Sequence, residues 1–144
     1  DCSSDVCSSD LMKNPDRVEK LILNGGNLDI KGIKEPYRHY ILEDHRRLSR
    51  KKNLSENDRR RYELNKLMAD DPNIKDEELL NIKADTLVIA GTDDMIVREE
   101  TDRIAAGIPS AELKILNGTH FVSREDPDTF DEAVYRFLTK EPVF

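Results

Sequence analysis

Two hydrophobic periods alternate along this chain. After Thr86, four apolar residues run without a polar break to Ala90, and the run stops at Gly91. An uninterrupted apolar run of that length predicts a strand buried on both faces, as in a parallel sheet. Glu112 to Leu116 mixes polar and apolar positions at a period nearer two, which predicts a strand closer to the sheet edge. Val18 to Leu23 reads as a third short strand, closed by the turn signal Asn24-Gly25-Gly26. Between the two later strands, Arg98 to Ile108 has a helical pattern stopped by Pro109, so Thr86 to Leu116 is expected to form a right-handed parallel crossover. Asp126-Pro127 supplies an N-cap and a first-turn proline. Phe130, Ala133, Val134, Phe137 and Leu138 then follow at the spacing of a helix packed on a sheet.

The stretch between the first and second strands is helical and too long for a plain crossover. Leu11 to Asp16 precedes it all as a last helical turn ended by Asn14-Pro15. Pro36 suits the first turn of a helix, and Tyr37, Tyr40, Ile41 and Leu48 share one face of it as far as about Lys51. Ser55 and Asp58 resemble a capping box with Asp in place of Glu, opening a second helix with Leu64, Leu67 and Met68 on one face. Asp71-Pro72 ends that helix, and the acids of Asp76 to Leu80 favour a short helical turn. The segment from about 34 to 80 therefore reads as a helical cap over the sheet edge. The expected fold class is α/β, a partial parallel sheet of three strands with flanking helices and this insertion.

Length and composition narrow the picture. At 144 residues the chain has room for about one domain. Its net charge of −7 argues against a general nucleic-acid binder, and no apolar run is long enough to span a membrane. Residues 1–10 stand apart, because CSSD occurs twice with no hydrophobic period. They lack the basic start and apolar middle of a signal peptide. The string DVCSSDL resembles the translation of a common short-read sequencing adapter, so the protein proper is expected to be residues 11–144. Cys2 and Cys7, spaced C-x4-C with no matching pair, are a weak metal or disulfide signal. A cytoplasmic location is the default expectation.

Candidate chemistry collects at one edge. Asp93 and Asp94 follow the strand ending at Gly91, and His120 follows Asn117-Gly118 after the next strand. If the two strands are parallel neighbours, a carboxylate and an imidazole emerge at the C-terminal edge, where open α/β sheets gather ligands and catalytic groups. A carboxylate held against a histidine fixes its tautomer and stabilises its charged form during proton transfer. Taken singly, the G-T-D-D loop is often only a helix-capping turn, and a histidine beside glycine is often structural. Asp93, Asp94 and His120 as a metal site lack a third well-spaced ligand.

From Leu11 onward the chain resembles the C-terminal half of an α/β-hydrolase. The resemblance is carried by NPDRVEKLILNGG, IKADTLVIAGTDDMIV, IPSAELKILNGTHF and EDPDTFDEAVYRFL, in the family's order and spacing. It implies that Asp94, fourth in the turn begun by Gly91, is the catalytic acid, with His120 in the Gly118 turn as general base. The family's chain order is nucleophile, acid, histidine. Met95 and Asp85 stand where the family often has proline. No G-x-S-x-G occurs, and none of the serines sits at a strand-to-helix elbow, so the nucleophile and oxyanion hole are expected upstream of Leu11. The resemblance implies a parent enzyme that cleaves an ester, amide or related bond of a small molecule through an acyl-enzyme, with no metal or organic cofactor. This chain alone is expected to be inactive and, with an unpaired apolar strand at Val18 to Leu23, prone to edge association.

A rival reading rests on charge. His45 to Arg61 holds eight Lys/Arg against Glu56 and Asp58, a net of +6 that leaves −13 on the rest of the chain. Such a stretch suits a binding module for an anionic partner. Its shortage of aromatic residues for stacking favours instead the wet face of two helices. His39 and His45, on the first of these helices, are expected to be ordinary surface or cap residues.

Overall fold

Three strands, β1 (Lys20–Asn24), β2 (Asp85–Asp93) and β3 (Ala111–Thr119), form one parallel sheet in the order β1-β2-β3. This is a computed structural model, and it describes residues 11–71 and 73–140. The expected adapter-like segment with Cys2 and Cys7, and Pro72 at the predicted helix end, lie outside the described residues. Residues 11–13 are helical and lead through a short turn at Pro15–Arg17 into β1.

The central strand explains its own composition. Alternate residues of β2 face opposite ways, and each face meets a separate core. Val88 joins Leu23, Ile104, Ile108, Leu79 and Ile82 on one side. Leu87 and Ile89 join Leu116, Val122 and Phe137 on the other. Each such apolar side chain contributes about 1.5–3 kcal/mol when fully buried, so an unbroken apolar run is what a doubly covered strand needs. The covering helices are α4 (Arg98–Gly107) on the first side and α6 (Pro127–Thr139) on the second, the latter preceded by the short α5 (Val122–Glu125). Asp126 caps α6 by accepting from the Thr129 N–H at 3.2 Å, with Pro127 in the first turn.

Between β1 and β2 the chain forms a helical pair, α1 (Tyr37–Ser49) and α2 (Glu56–Asp70), followed by the short α3 (Asp76–Leu79). The pair encloses a third apolar cluster of Ile33, Ile41 and Ile96, with Met68 and Met95 against it. Both ends of this excursion are fastened at Leu28, which is itself buried. The Leu28 N–H donates to Glu100 Oε1 at 2.7 Å, and its carbonyl accepts from Ile74 N at 3.0 Å. Further along, Lys34 N donates to the Met95 carbonyl at 2.8 Å and Val97 N to the Gly32 carbonyl at 2.8 Å. The base of the helical pair is thus stitched to the loop that follows β2.

Several predicted details shift. β1 begins two residues later than the apolar pattern suggests, because Pro15–Arg17 turns the chain first. β2 and β3 run beyond their apolar segments to Asp93 and Thr119, which pair with each other across a register shift. Pro36 occupies the N-cap of α1 rather than its first turn. On the predicted apolar face of α1, Ile41 and Leu48 are buried, whereas Tyr40 is 62% exposed and Tyr37 is also open. Leu64 of α2 is 56% exposed as well, and Leu138 lies on the outer side of α6. Only half of the expected capping box forms: Ser55 Oγ accepts from Asp58 N at 3.2 Å, while the Asp58 carboxylate pairs with Lys51. His45 packs within the helical pair, its ring 5.2 Å from that of Tyr62 and its Nδ1 buried.

Candidate active site

Two loops at the C-terminal edge of β2 and β3 meet because Gly91 has no side chain. A Cβ there would fall well inside contact distance of the carbonyl oxygens of Gly118 and Thr119. Thr92 then ties the loops, its hydroxyl accepting from Gly118 N at 3.2 Å and lying 3.4 Å from Asn117 Oδ1. Glu125, at the end of α5, holds the second loop from below. Its carboxylate accepts from Thr119 N at 2.7 Å and from Thr119 Oγ1 at 2.6 Å. The Thr119 hydroxyl and amide together hold the Glu125 carboxyl below the usual glutamate range.

This scaffold brings Asp94 and His120 together. Asp94 Oδ1 lies 2.8 Å from His120 Nδ1. Asp94 is buried, its side chain 3% exposed, and its carboxylate also accepts from Ile96 N at 3.0 Å and from Gly91 N at 3.3 Å. Burial pushes its carboxyl up, but the hydrogen bonds from His120 and the Ile96 and Gly91 amides, with the attraction of the imidazole, outweigh burial and bring it below the usual aspartate range. Asp94 is therefore a carboxylate at neutral pH, able only to accept. That requires Nδ1 of neutral His120 to carry the hydrogen and leaves the Nε2 lone pair for another proton. The His120 side chain is 29% exposed, its ring set near-perpendicular to that of Phe121 with the centroids 5.5 Å apart. Asp93 takes the other course: it is exposed and sits opposite Thr119 in the sheet.

Two contributors to the site, Gly25 and Glu125, are not marked out by the sequence pattern. Gly25, read only as part of a turn, lies directly against the His120 ring. Its one signal was position, a Gly-Gly pair at the end of a parallel strand on the same edge as Asp94 and His120. Glu125 carried a fainter signal, an acid five residues after the histidine. Met95, next to Asp94, also lines a groove of about 540 Å³ with Tyr37, Tyr40, Ile41, Leu64 and Met68.

Among the described residues no group of three His, Cys, Asp or Glu is placed to hold a metal ion, and no helix is long and apolar enough to cross a membrane. No protein-family model matches the sequence, and no curated protein is detectably similar to it. Solved structures do share its fold, and they are α/β-hydrolases. An enol-lactonase from Burkholderia xenovorans superposes with a TM-score of 0.73 at 18% identity, over 95% of this chain and 62% of its own. The carboxylesterase CesB from Bacillus subtilis gives 0.66 at 16%, over 96% and 57%. The meta-cleavage product hydrolase CumD from Pseudomonas fluorescens gives 0.63 at 19%, over 94% and 61%. The fold is thus that of part of an α/β-hydrolase, and the chain spans about three-fifths of the length of these structures.

Proposed function

We propose that this chain carries the acid and the histidine of a serine-type α/β-hydrolase, whose nucleophile and oxyanion hole belong to sequence upstream of it. The observation that carries the reading is the buried Asp94 carboxylate on Nδ1 of His120, at the C-terminal edge of a parallel sheet. In this role Asp94 fixes the imidazole in one tautomer and stabilises its protonated form. His120 Nε2 removes a proton from the nucleophile during acylation and returns one to the leaving group. The parent enzyme cleaves an ester, amide or related bond of a small molecule through an acyl-enzyme, in the cytoplasm and without a metal or organic cofactor. The segment of about 34–80 acts as its cap, and the apolar groove beside Met95 accepts an apolar part of the substrate.

The alternative, an anion-binding module, loses support from the ion pairs of the basic stretch. Arg46, Arg47, Lys51, Arg60 and Arg61 each pair with a nearby acid, so five of its eight cations are already engaged within the fold. A fluorophosphonate probe separates the readings. The 144-residue chain should remain unlabelled, and a polypeptide extended upstream should be labelled at one serine. His120→Ala should slow that labelling by about 10³-fold or more. Stoichiometric labelling of the chain alone, or labelling of the extended protein indifferent to His120, would sink the proposal.

A further inference from the structure

The turn after β1 contributes to the Asp94–His120 pair without offering a functional group. Gly25 has φ +62°, in the left-handed region, and its N–H donates to the Ile89 carbonyl of β2 at 2.9 Å. The turn is therefore registered against the strand that leads to Asp94. A Cβ built on Gly25 would lie 2.5 Å from Cε1 and 2.6 Å from Nδ1 of His120, and 3.5 Å from Asp94 Oδ2. Real Cβ atoms do not approach ring atoms so closely, so any side chain here must displace the imidazole. The neighbouring glycine is different, because a Cβ on Gly26 meets only Ile104 Cδ1, at an ordinary 3.9 Å.

We propose that Gly25 is a positioning residue for the Asp94–His120 pair, its bare Cα forming the seat on which the imidazole rests while Nδ1 donates to Asp94. The ring is held between this seat and the carboxylate, and the Phe121 ring stands near-perpendicular to it. A side chain at position 25 pushes at Nδ1, the atom that makes the hydrogen bond. The ring can swing away on its own side-chain torsions, so the fold survives while the pair opens. The requirement for glycine is then partly the backbone angle and partly space, and the two separate experimentally. Asparagine tolerates a positive φ better than alanine does, yet it still carries a Cβ. The meaning of the seat for catalysis rests on the hydrolase reading, but the seat itself concerns only the geometry of the pair.

The test is imidazole ¹⁵N NMR of the 144-residue chain, recorded by magic-angle spinning on sedimented protein so that association does not interfere. The parent sequence should show His120 predominantly as the Nδ1–H tautomer, with a hydrogen-bonded Nδ1–H proton resonance. Gly26→Ala should keep both signatures. Gly25→Ala and Gly25→Asn should lose the Nδ1–H resonance and the tautomer preference, while the backbone signals of β2 and β3 stay in place. Retention of both signatures in the two Gly25 variants would overturn the proposal, as would equal loss in Gly26→Ala. If both Gly25 variants unfold while Gly26→Ala folds, Gly25 serves the backbone turn alone and the proposal also fails. None of these outcomes depends on activity, so they leave the hydrolase reading to the probe experiment.

Discussion

Replacing Asp44 with asparagine removes one charge from α1 and leaves the shape of the side chain nearly unchanged. The carboxylate is buried and accepts from Arg47 at 2.7 Å, Arg61 at 2.6 Å and Asn65 at 2.8 Å, joining α1 to α2. The Arg61 hydrogen bond, against the opposing effect of burial and with help from Arg47 and Asn65, lowers its pKa from 3.8 to about 2. At about 1.4 kcal/mol per pH unit, that difference corresponds to at most ~2.5 kcal/mol. Both guanidinium groups are about half exposed, so solvent screening reduces the expected value to about 1–2 kcal/mol. Because the folded carboxyl titrates below its unfolded counterpart, this stabilisation is complete above the ordinary aspartate range. It falls away as pH drops from about 4 toward 2. Asp44→Asn should therefore raise hydrogen-exchange rates in α1 and α2 at pH 6 by roughly 5- to 30-fold, and the gap to the parent protein should close on acidification. Equal exchange in the two proteins at pH 6, or a gap that widens toward pH 2, would refute the argument.

Two further outcomes follow from the sheet. Gly91→Ala places a methyl group against backbone carbonyls that cannot swing aside, so it should cost about 1–3 kcal/mol and lower the thermal midpoint, and an unchanged melt would show that the two loops yield easily. Among the described residues β1 pairs only with β2, and its outer edge is a template for another strand; sedimentation velocity of the chain should therefore show oligomers, and a monodisperse, cooperatively melting monomer would count against an active edge.

The position of β2 was readable because burial on both faces leaves an unbroken apolar run, as in Leu87 to Ala90, and that of β3 because polar and apolar positions mix at a period near two. Their extensions were not, since Asp93 and Thr119 pair through a close approach that depends on the missing side chain of Gly91. Local pattern put Asp94 and His120 at one edge, and only a family's turn position distinguished Asp94 from Asp93. Helical periodicity grouped Tyr37, Tyr40 and Leu64 with true core residues, because it registers a shared face and says nothing about what covers it. It was equally silent on which acid of α1 is buried: Glu43 and Asp44 are adjacent, yet only Asp44 faces Arg61 and Asn65. Gly25 needed the tertiary contact itself, because a turn glycine and a glycine beneath a histidine are spelled alike.

The fastening at Leu28 has a consequence for how such a protein changes over time. One residue holds both the outgoing and the returning chain, through Glu100 and Ile74, so the helical pair is a loop whose two feet already stand together. For a loop closed in this way, doubling its length adds only about 0.6 kcal/mol of closure cost. Helices beyond the feet can be lengthened, shortened or exchanged wholesale with little effect on the sheet beneath. The straps from Gly32 and Lys34 to the loop after Asp94 set the limit of that freedom. A transplanted pair of helices should keep its first few residues, through Lys34, and can diverge from there on.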